Sequence, residues 1–411
     1  MTELRVLCKD DWDRWDETLD RAFGGAGEAP KRRALLNELT EQDRSLGVWD
    51  GADCVGTAGA FSFRLSVPGG SLVPAAGVTM VSVAATHRRR GLLRSMMRRQ
   101  LDDVRERGEP MAVLTASEPD IYGRFGYGLA TTKLAMEIDT TRVRVASLPE
   151  GADAVELRYA SPTDPEVGRA IEDVYARAVP ARPGMLARQP GWERLPLLDP
   201  PQEREGASPL RCVLARRGGE VAGFALFHMT GEADMAGAKC VVRVRDVYTG
   251  DPASYAALWR FLCEIDLTWT VSVGSRPVDD PVLHLLSDVR RCGLRVRDVA
   301  YARPVDVGGA LAARAYRAPV DVVLDVRDAF CPWNEGRWRL SGDAEGAACA
   351  RTGDAADLAL SVRELGSAYL GGVTLRALAD AGRVTELRPG ALAEASLAFG
   401  SDVAPWLPHG F

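Results

Sequence analysis

Apolar positions along the chain keep two alternating periods, one of two residues and one of three to four, and a single change of period between Gly77 and Leu101 organises the rest. That stretch reads GVTMVSVAATHRRRGLLRSMMRRQL. Val78, Met80, Val81 and Val83 make a short β-type run that stops at the small pair Ala84 and Ala85. From Leu92 the spacing becomes helical: Leu92, Leu93, Met96, Met97, Leu101 and Val104 share one face, arginines and aspartates take the other, and Gly108 and Pro110 end the helix. Between the two lies THRRRG. Free backbone N–H groups at a helix N-terminus, the helix dipole and the arginines together favour an anion there, and Gly91 lets the backbone approach it closely. An apolar strand, Met111 to Ser117, follows at the length of a βαβ crossover. SEPDIYGRFGYG then reads as one helical turn, Asp120 to Phe125, closed by Gly126 and Gly128.

Upstream, Trp12, Trp15, Leu19 and Phe23 mark a helix with an acidic outer face, a second helix covers Lys31 to Leu39, and SLGVWD and CVGTAGAFSFRLSV form a hairpin. From about Leu157 the pattern starts again as a strand and helix, a Gly-Gly hairpin and another strand-to-helix step. At that second step Asp251 stands where an anion would need positive charge, and no RxxGxG follows. The basic insertion Arg182 to Leu195 reads either as a segment closing over a site or as a surface loop or subunit contact. After Pro304 the sequence predicts a helix, then paired strands around PWNEG, then helices over DLALSVRELGSAYLGGVTLRAL, broken at Gly371 and Gly372, and over ALAEASLAFGS.

Composition narrows the class. A chain of 411 residues exceeds one ordinary core and predicts several domains. Hydrophobic content of 46% and charged content of 26% are those of a globular protein, no apolar run nears the ~18 residues of a membrane helix, and the acidic N-terminal stretch does not read as a secretory signal, so a cytoplasmic location and no membrane partner are expected. The eight cysteines are scattered without a CxxC pair beside only four histidines, which predicts no metal site and free thiols. A net charge of −6 argues against nucleic acid as a partner and suits a cationic small substrate.

The run Arg88-x-x-Gly91-x-Leu93 after a Val-x-Val strand resembles the pyrophosphate loop of the GNAT acyl-CoA acetyltransferases, with Leu93 in the place of that motif's last small residue. Its joint occurrence with TASEPDIYGRFGYG resembles, more narrowly, the Eis (enhanced intracellular survival) acetyltransferases of actinobacteria. The resemblance implies a mixed α/β fold: a catalytic GNAT domain over 1–147, a degenerate GNAT-like domain over 148–302, and a sterol-carrier-protein-like domain over 303–411. It also implies acetyl-CoA as co-substrate, an acceptor amine on an aminoglycoside-type cation or a lysine side chain, and a homo-oligomer, a hexamer.

By the same resemblance the backbone of Val81, Ser82 and Val83 orients the pantetheine arm, Arg89, Arg90, Gly91, Leu92, Leu93 and Arg94 cradle the pyrophosphate, and Ser117 and Glu118 touch the pantetheine. Ser117 reads equally as the N-cap of the next turn. The chemistry needs a proton donor for the leaving thiolate. A phenol, reference pKa about 10, remains protonated at neutral pH and can supply that proton, whereas an ordinary carboxylic acid is already ionised. The resemblance implies that Tyr122, which opens the YxxFGY turn, is the proton donor, and Tyr127 reads as a packed aromatic. The terminal carboxylate of Phe411 is the implied base, with His409 as an alternative or a frayed tail as the plain reading. A non-catalytic acyl-CoA- or lipid-responsive binding protein is the competing class.

Overall fold

Buried tryptophans and alternating strands set the first elements of the computed structural model, which describes residues 2–25, 27–235 and 237–411; counts of elements and contacts are of those residues. Strand β1 (Thr2–Val6) leads into α1 (Trp12–Ala22), whose Trp12 and Trp15 are buried, and α2 (Pro30–Leu39) starts on Pro30, where a missing N–H is harmless. Strands β2 (Leu46–Asp50), β3 (Asp53–Ser66) and β4 (Leu72–Val83) follow as an antiparallel meander with β1 on its edge. Helix α3 (Leu92–Glu106) crosses over to β5 (Met111–Thr115), which runs parallel to β4. Its Met97, Leu101 and Val104 pack on Ala76, Val78, Ala112 and Leu114 of the two strands it joins, so the helical period read from the sequence is the core-facing stripe. The short helix α4 (Pro119–Tyr122) and strand β6 (Gly128–Leu129) complete this stretch.

Strand β7 (Thr132–Asp139) pairs in a different sheet, one belonging to a second compact unit made of residues 132–181 and 190–298. There β8 (Glu156–Ala160) and α5 (Pro165–Ala178) precede the chain's excursion into β9 (Leu186–Ala187), which pairs with β3 in the first unit. The hairpin β10 (Arg211–Arg217) and β11 (Glu220–Asp234), then β12 (Gly237–Thr249), α6 (Pro252–Glu264), β13 (Thr268–Arg276), α7 (Val282–Leu285) and β14 (Arg295–Asp298) give the order β14-β7-β13-β12-β11-β10-β8. Strands β12 and β13 are parallel across α6, repeating the strand–helix–strand step of the first unit. At the mouth of α6, however, Asp251 is the N-cap: its carboxylate takes the Ser254 N–H and pairs with Arg217 at 3.0 Å, so the protein's own anion fills the place.

Strand β15 (Ala300–Pro304) rejoins the first unit and lies between β5 and β6, antiparallel to both. After α8 (Val307–Ala312) comes a five-stranded sheet of β16 (Val320–Arg327), β17 (Gly336–Gly342), β18 (Ala347–Arg351), β19 (Leu358–Ser361) and β20 (Val384–Glu386). The pattern of DLALS alone places it inside a helix. It is instead β19, with Leu358 and Leu360 buried and hydrogen bonds to β16 on one side and β20 on the other, so tertiary pairing overrides the helical look of Leu-Ala-Leu. The helix α9 (Val362–Ala368) starts at a Ser361–Glu364 capping box, and α10 (Leu375–Asp380) and α11 (Ala391–Phe399) end the regular structure. All eight cysteines are free, and no described helix is long and apolar enough to cross a membrane.

Candidate active site

The first unit contains every residue the sequence reading singled out for chemistry. Its sheet is interrupted in the middle. Pairing of β3 with β4 runs from Ser66↔Leu72 to Gly59↔Thr79 and resumes at Thr57↔Ser82, so Met80 and Val81 together face Ala58 as a β-bulge. Met80 takes φ 52°, a left-handed conformation uncommon for a side chain with a Cβ. Two contacts hold it: Thr57 Oγ1 donates to the Met80 carbonyl at 2.7 Å, and the Met80 side chain packs on the cluster of Trp12, Trp15 and Trp49. On its other side β4 pairs with β5 only from Ala75↔Met111 to Val78↔Leu114, although it continues to Val83. The β5-facing edge of Thr79 to Val83 is therefore open, and an extended amide-bearing chain can add to such an edge. Ser82 is buried with its hydroxyl 2.7 Å from Thr57 Oγ1, which leaves its backbone rather than its side chain for a ligand.

The chain leaves β4 at the mouth of α3. Gly91 is the N-cap with φ 83°, no side chain caps the helix, and a Cβ added there would meet nothing within 4 Å. Arg88, Arg89, Arg90 and Gly91 are exposed, and none of these three arginines forms an ion pair among the described residues. Free N–H groups at a dipole's positive end beside unneutralised guanidinium groups make an anion site irrespective of any motif. Leu92 and Leu93 pack into the neighbouring core, and the Arg94 guanidinium lies 5.3 Å from the Phe330 ring centroid.

Past β5, Ser117 and Glu118 are exposed at the strand end. The N-cap of α4 is Glu118, without a side-chain hydrogen bond, and Pro119 occupies the first turn, so the capping role considered for Ser117 is not the one it takes. The turn carrying Tyr122 is closed by Gly126 at φ 84°. Tyr122 is half-buried, and its hydroxyl has no partner among the described residues. Burial raises its pKa above the ordinary phenol value, and the Glu118 charge pushes the same way. Tyr127 meets it edge to face at 6.1 Å, is fully buried, and has an unpartnered hydroxyl whose pKa burial pushes far up.

The C-terminal residues reach the same strand from the other direction. Thr79 Oγ1 donates to the main-chain carbonyl oxygen of Phe411 at 2.8 Å, and the Phe411 ring packs edge-on against Phe63 at 5.1 Å. Upstream, Trp406 and Leu407 are buried, the Trp406 N–H donates to the Pro183 carbonyl at 2.9 Å, and Arg182 donates to the Ala404 carbonyl. The insertion thus divides: residues 182–189 belong to this unit and strap the tail, and those from Pro190 belong to the second. His409 is half-buried, and burial, with Arg188 nearby, pushes its imidazole down to about 4. Thr57, Phe63, Thr79 and the Met80 bulge were not singled out from the sequence; no Gly or Pro marks the bulge, and a lone Thr in a strand carries no periodic signal. Among the described residues no group of three or more His, Cys, Asp or Glu side chains is placed to hold a metal ion.

Comparison with known proteins gives three domain matches along the chain. Residues 3–130 match an acetyltransferase (GNAT) domain, residues 184–304 a second acetyltransferase (GNAT) domain, and residues 307–408 a sterol carrier protein domain. The chain is 64% identical over 413 residues to an uncharacterized N-acetyltransferase of Streptomyces coelicolor, covering 100% of this chain and 99% of that protein. It is 35% identical over 416 residues to the N-acetyltransferase Eis of Mycobacterium tuberculosis, covering 97% of each. The crystal structure of Eis1 from Mycobacterium abscessus superposes with a TM-score of 0.83 at 33% identity, over 100% of both chains.

Proposed function

The chain belongs to the Eis family of GNAT N-acetyltransferases, and from that premise we propose that it moves an acetyl group from acetyl-CoA to a primary amine of an aminoglycoside-type cation or of a lysine side chain. That it is an acyltransferase using an acyl-CoA follows from the family itself. The observation that carries the finer reading is the shared opening: the unpaired edge of β4, the bare basic mouth of α3 and the turn bearing Tyr122 all follow from the way β4 and β5 part after Val78 and Leu114.

In this reading the backbone of Val81, Ser82 and Val83 holds the pantetheine amides, and Ser117 and Glu118 flank the arm. The segment Arg89–Arg94 takes the pyrophosphate. The amine lone pair attacks the thioester carbon, the C–N bond forms, the C–S bond breaks, and the thiolate takes the Tyr122 proton. A phenol whose pKa is raised by burial stays protonated until that moment. The ammonium proton passes to the Phe411 carboxylate, held at Thr79; His409, pushed down to about 4, has lost the advantage an ordinary imidazole would have as the base. The catalytic GNAT domain is assigned to 1–147, a non-catalytic GNAT-like role to 148–302, where Asp251 caps the corresponding helix, and a sterol-carrier-protein-like body that ends in the active-site C-terminus to 303–411, with the protein working as a cytoplasmic hexamer. Light scattering at assay concentration reads the oligomer directly, and a monomer there removes that part.

Relatives named as N-acetyltransferases do not favour the non-catalytic alternative. The experiment is a thiol-release assay with acetyl-CoA against aminoglycosides, polyamines and lysine peptides, run on the wild type and on Tyr122→Phe. The variant is expected to lose ~10²–10⁴ in kcat. Release with no amine in the panel removes the proposed acceptor class, and full turnover by Tyr122→Phe removes the acid assignment.

A further inference from the structure

Resting on that reading of Tyr122, we propose that Arg303 and Asp328 form a buried positioning pair that sets the turn carrying the general acid. Arg303 comes from β15, the strand inserted between β5 and β6, and is 0% exposed. Its Nη2 donates to Asp328 Oδ2 at 2.7 Å, and its Nη1 donates to the carbonyl of Phe125, three residues after Tyr122. A Cβ added at Gly126 would lie 1.6 Å from that same Nη1, so guanidinium and turn are in direct van der Waals contact.

The other end of the pair is fully committed. Asp328 accepts from the Cys331 N–H at 2.9 Å and from Asn334 Nδ2 at 3.0 Å, which fixes the loop between β16 and β17. From that loop Phe330 meets the Phe125 ring at 5.0 Å, and the Arg98 guanidinium of α3 sits 4.1 Å above the Phe330 ring. One buried pair therefore references both the acid's turn and the helix of the basic mouth.

Stability alone is a poor account of such a pair. Packed apolar side chains of similar volume serve a core as well as a buried ion pair, or better, and here Arg303 Nε is left without a partner. The planar fork instead gives two donors in fixed directions, one for the carboxylate and one for a main-chain oxygen of the turn. A lysine can follow the charge but not the fork.

The test is a double-mutant cycle on the full chain with Arg303→Lys, Tyr122→Phe and both together, with turnover normalised to CoA-binding stoichiometry so that only folded sites count. Misplacement by about 1 Å is worth about 10²-fold, so Arg303→Lys is expected to lower kcat by about that factor, with KM for acetyl-CoA within threefold of wild type. In the Tyr122→Phe background the same change is expected to move kcat by less than twofold. Asp328→Asn, close to isosteric, serves if Arg303→Lys does not fold. Unchanged kcat per folded site, or a loss that multiplies in full with that of Tyr122→Phe, overturns the positioning role. Full turnover of Tyr122→Phe alone is a different result and refutes the acid assignment on which the pair depends.

Discussion

Replacing Thr79 by Val removes the hydroxyl that donates to the Phe411 main-chain oxygen at 2.8 Å, in the proposed reading an oxygen of the terminal carboxylate, and keeps the β-branched shape that suits β4. A hydrogen bond to a charged group is worth ~1.5–3 kcal/mol, and partial burial places this one at the low end, about 1.5 kcal/mol. The edge-on contact between Phe411 and Phe63 survives the change and retains ~0.5–1.5 kcal/mol beyond its buried area. The ratio of docked to undocked tail is then expected to fall about tenfold. Carboxypeptidase release of the terminal phenylalanine reads this ratio, because cleavage slower than reclosing follows the open population. Release should quicken about tenfold in Thr79→Val, while kcat falls by as much as tenfold and KM for acetyl-CoA stays unchanged. Unaltered release refutes the claim that Thr79 holds the tail. Faster release with kcat intact, even after Phe411 has been removed, refutes the tail as the base.

Two further outcomes bear on neighbouring groups. Tyr127→Phe removes a fully buried hydroxyl without a partner; relief of ~1–3 kcal/mol should raise Tm by ~2–4 °C per kcal/mol with kcat retained, and a lower Tm or lost turnover would show that the hydroxyl has a role. His409 has a folded value of about 4, below the ~6.5 of an unfolded histidine. Between those values the unfolded chain binds more protons, so stability rises with pH across the window and is lost as pH falls from about 6.5 to about 4. His409→Asn should flatten part of the Tm decrease between pH 7 and pH 4.5, and an identical decrease in both proteins counts against the histidine.

What the sequence made legible was local. The change of period at Ala84 to Leu92 marks the end of β4 and the start of α3, and Gly126 closes the YGRFGYG turn as its spacing suggests, while Gly128 already belongs to β6. Asp251 reads as a charge in the wrong place for an anion and proves to be the helix cap. What stayed hidden depends on long-range pairing. Leu358 and Leu360 look helical beside Val362 and Leu365, and only the flanking strands make them β19. The bulge at Met80 is held by Thr57 and by tryptophans far away in the chain. Arg303 reads as one more arginine among many, and nothing near it in sequence announces Asp328.

The placement of β15 bears on how the protein is made. The sheet that begins at Thr2 is closed by a strand ending at Pro304, and among the described residues β6 pairs only with that latecomer. At translation speeds of about 5–20 residues per second, some ten to thirty seconds separate Leu129 from Ala300 on the ribosome. For that interval β5 presents a raw edge to the cell, so the nascent chain needs shelter there, and a gene trimmed to the first region alone should yield a fragment that sticks to its neighbours.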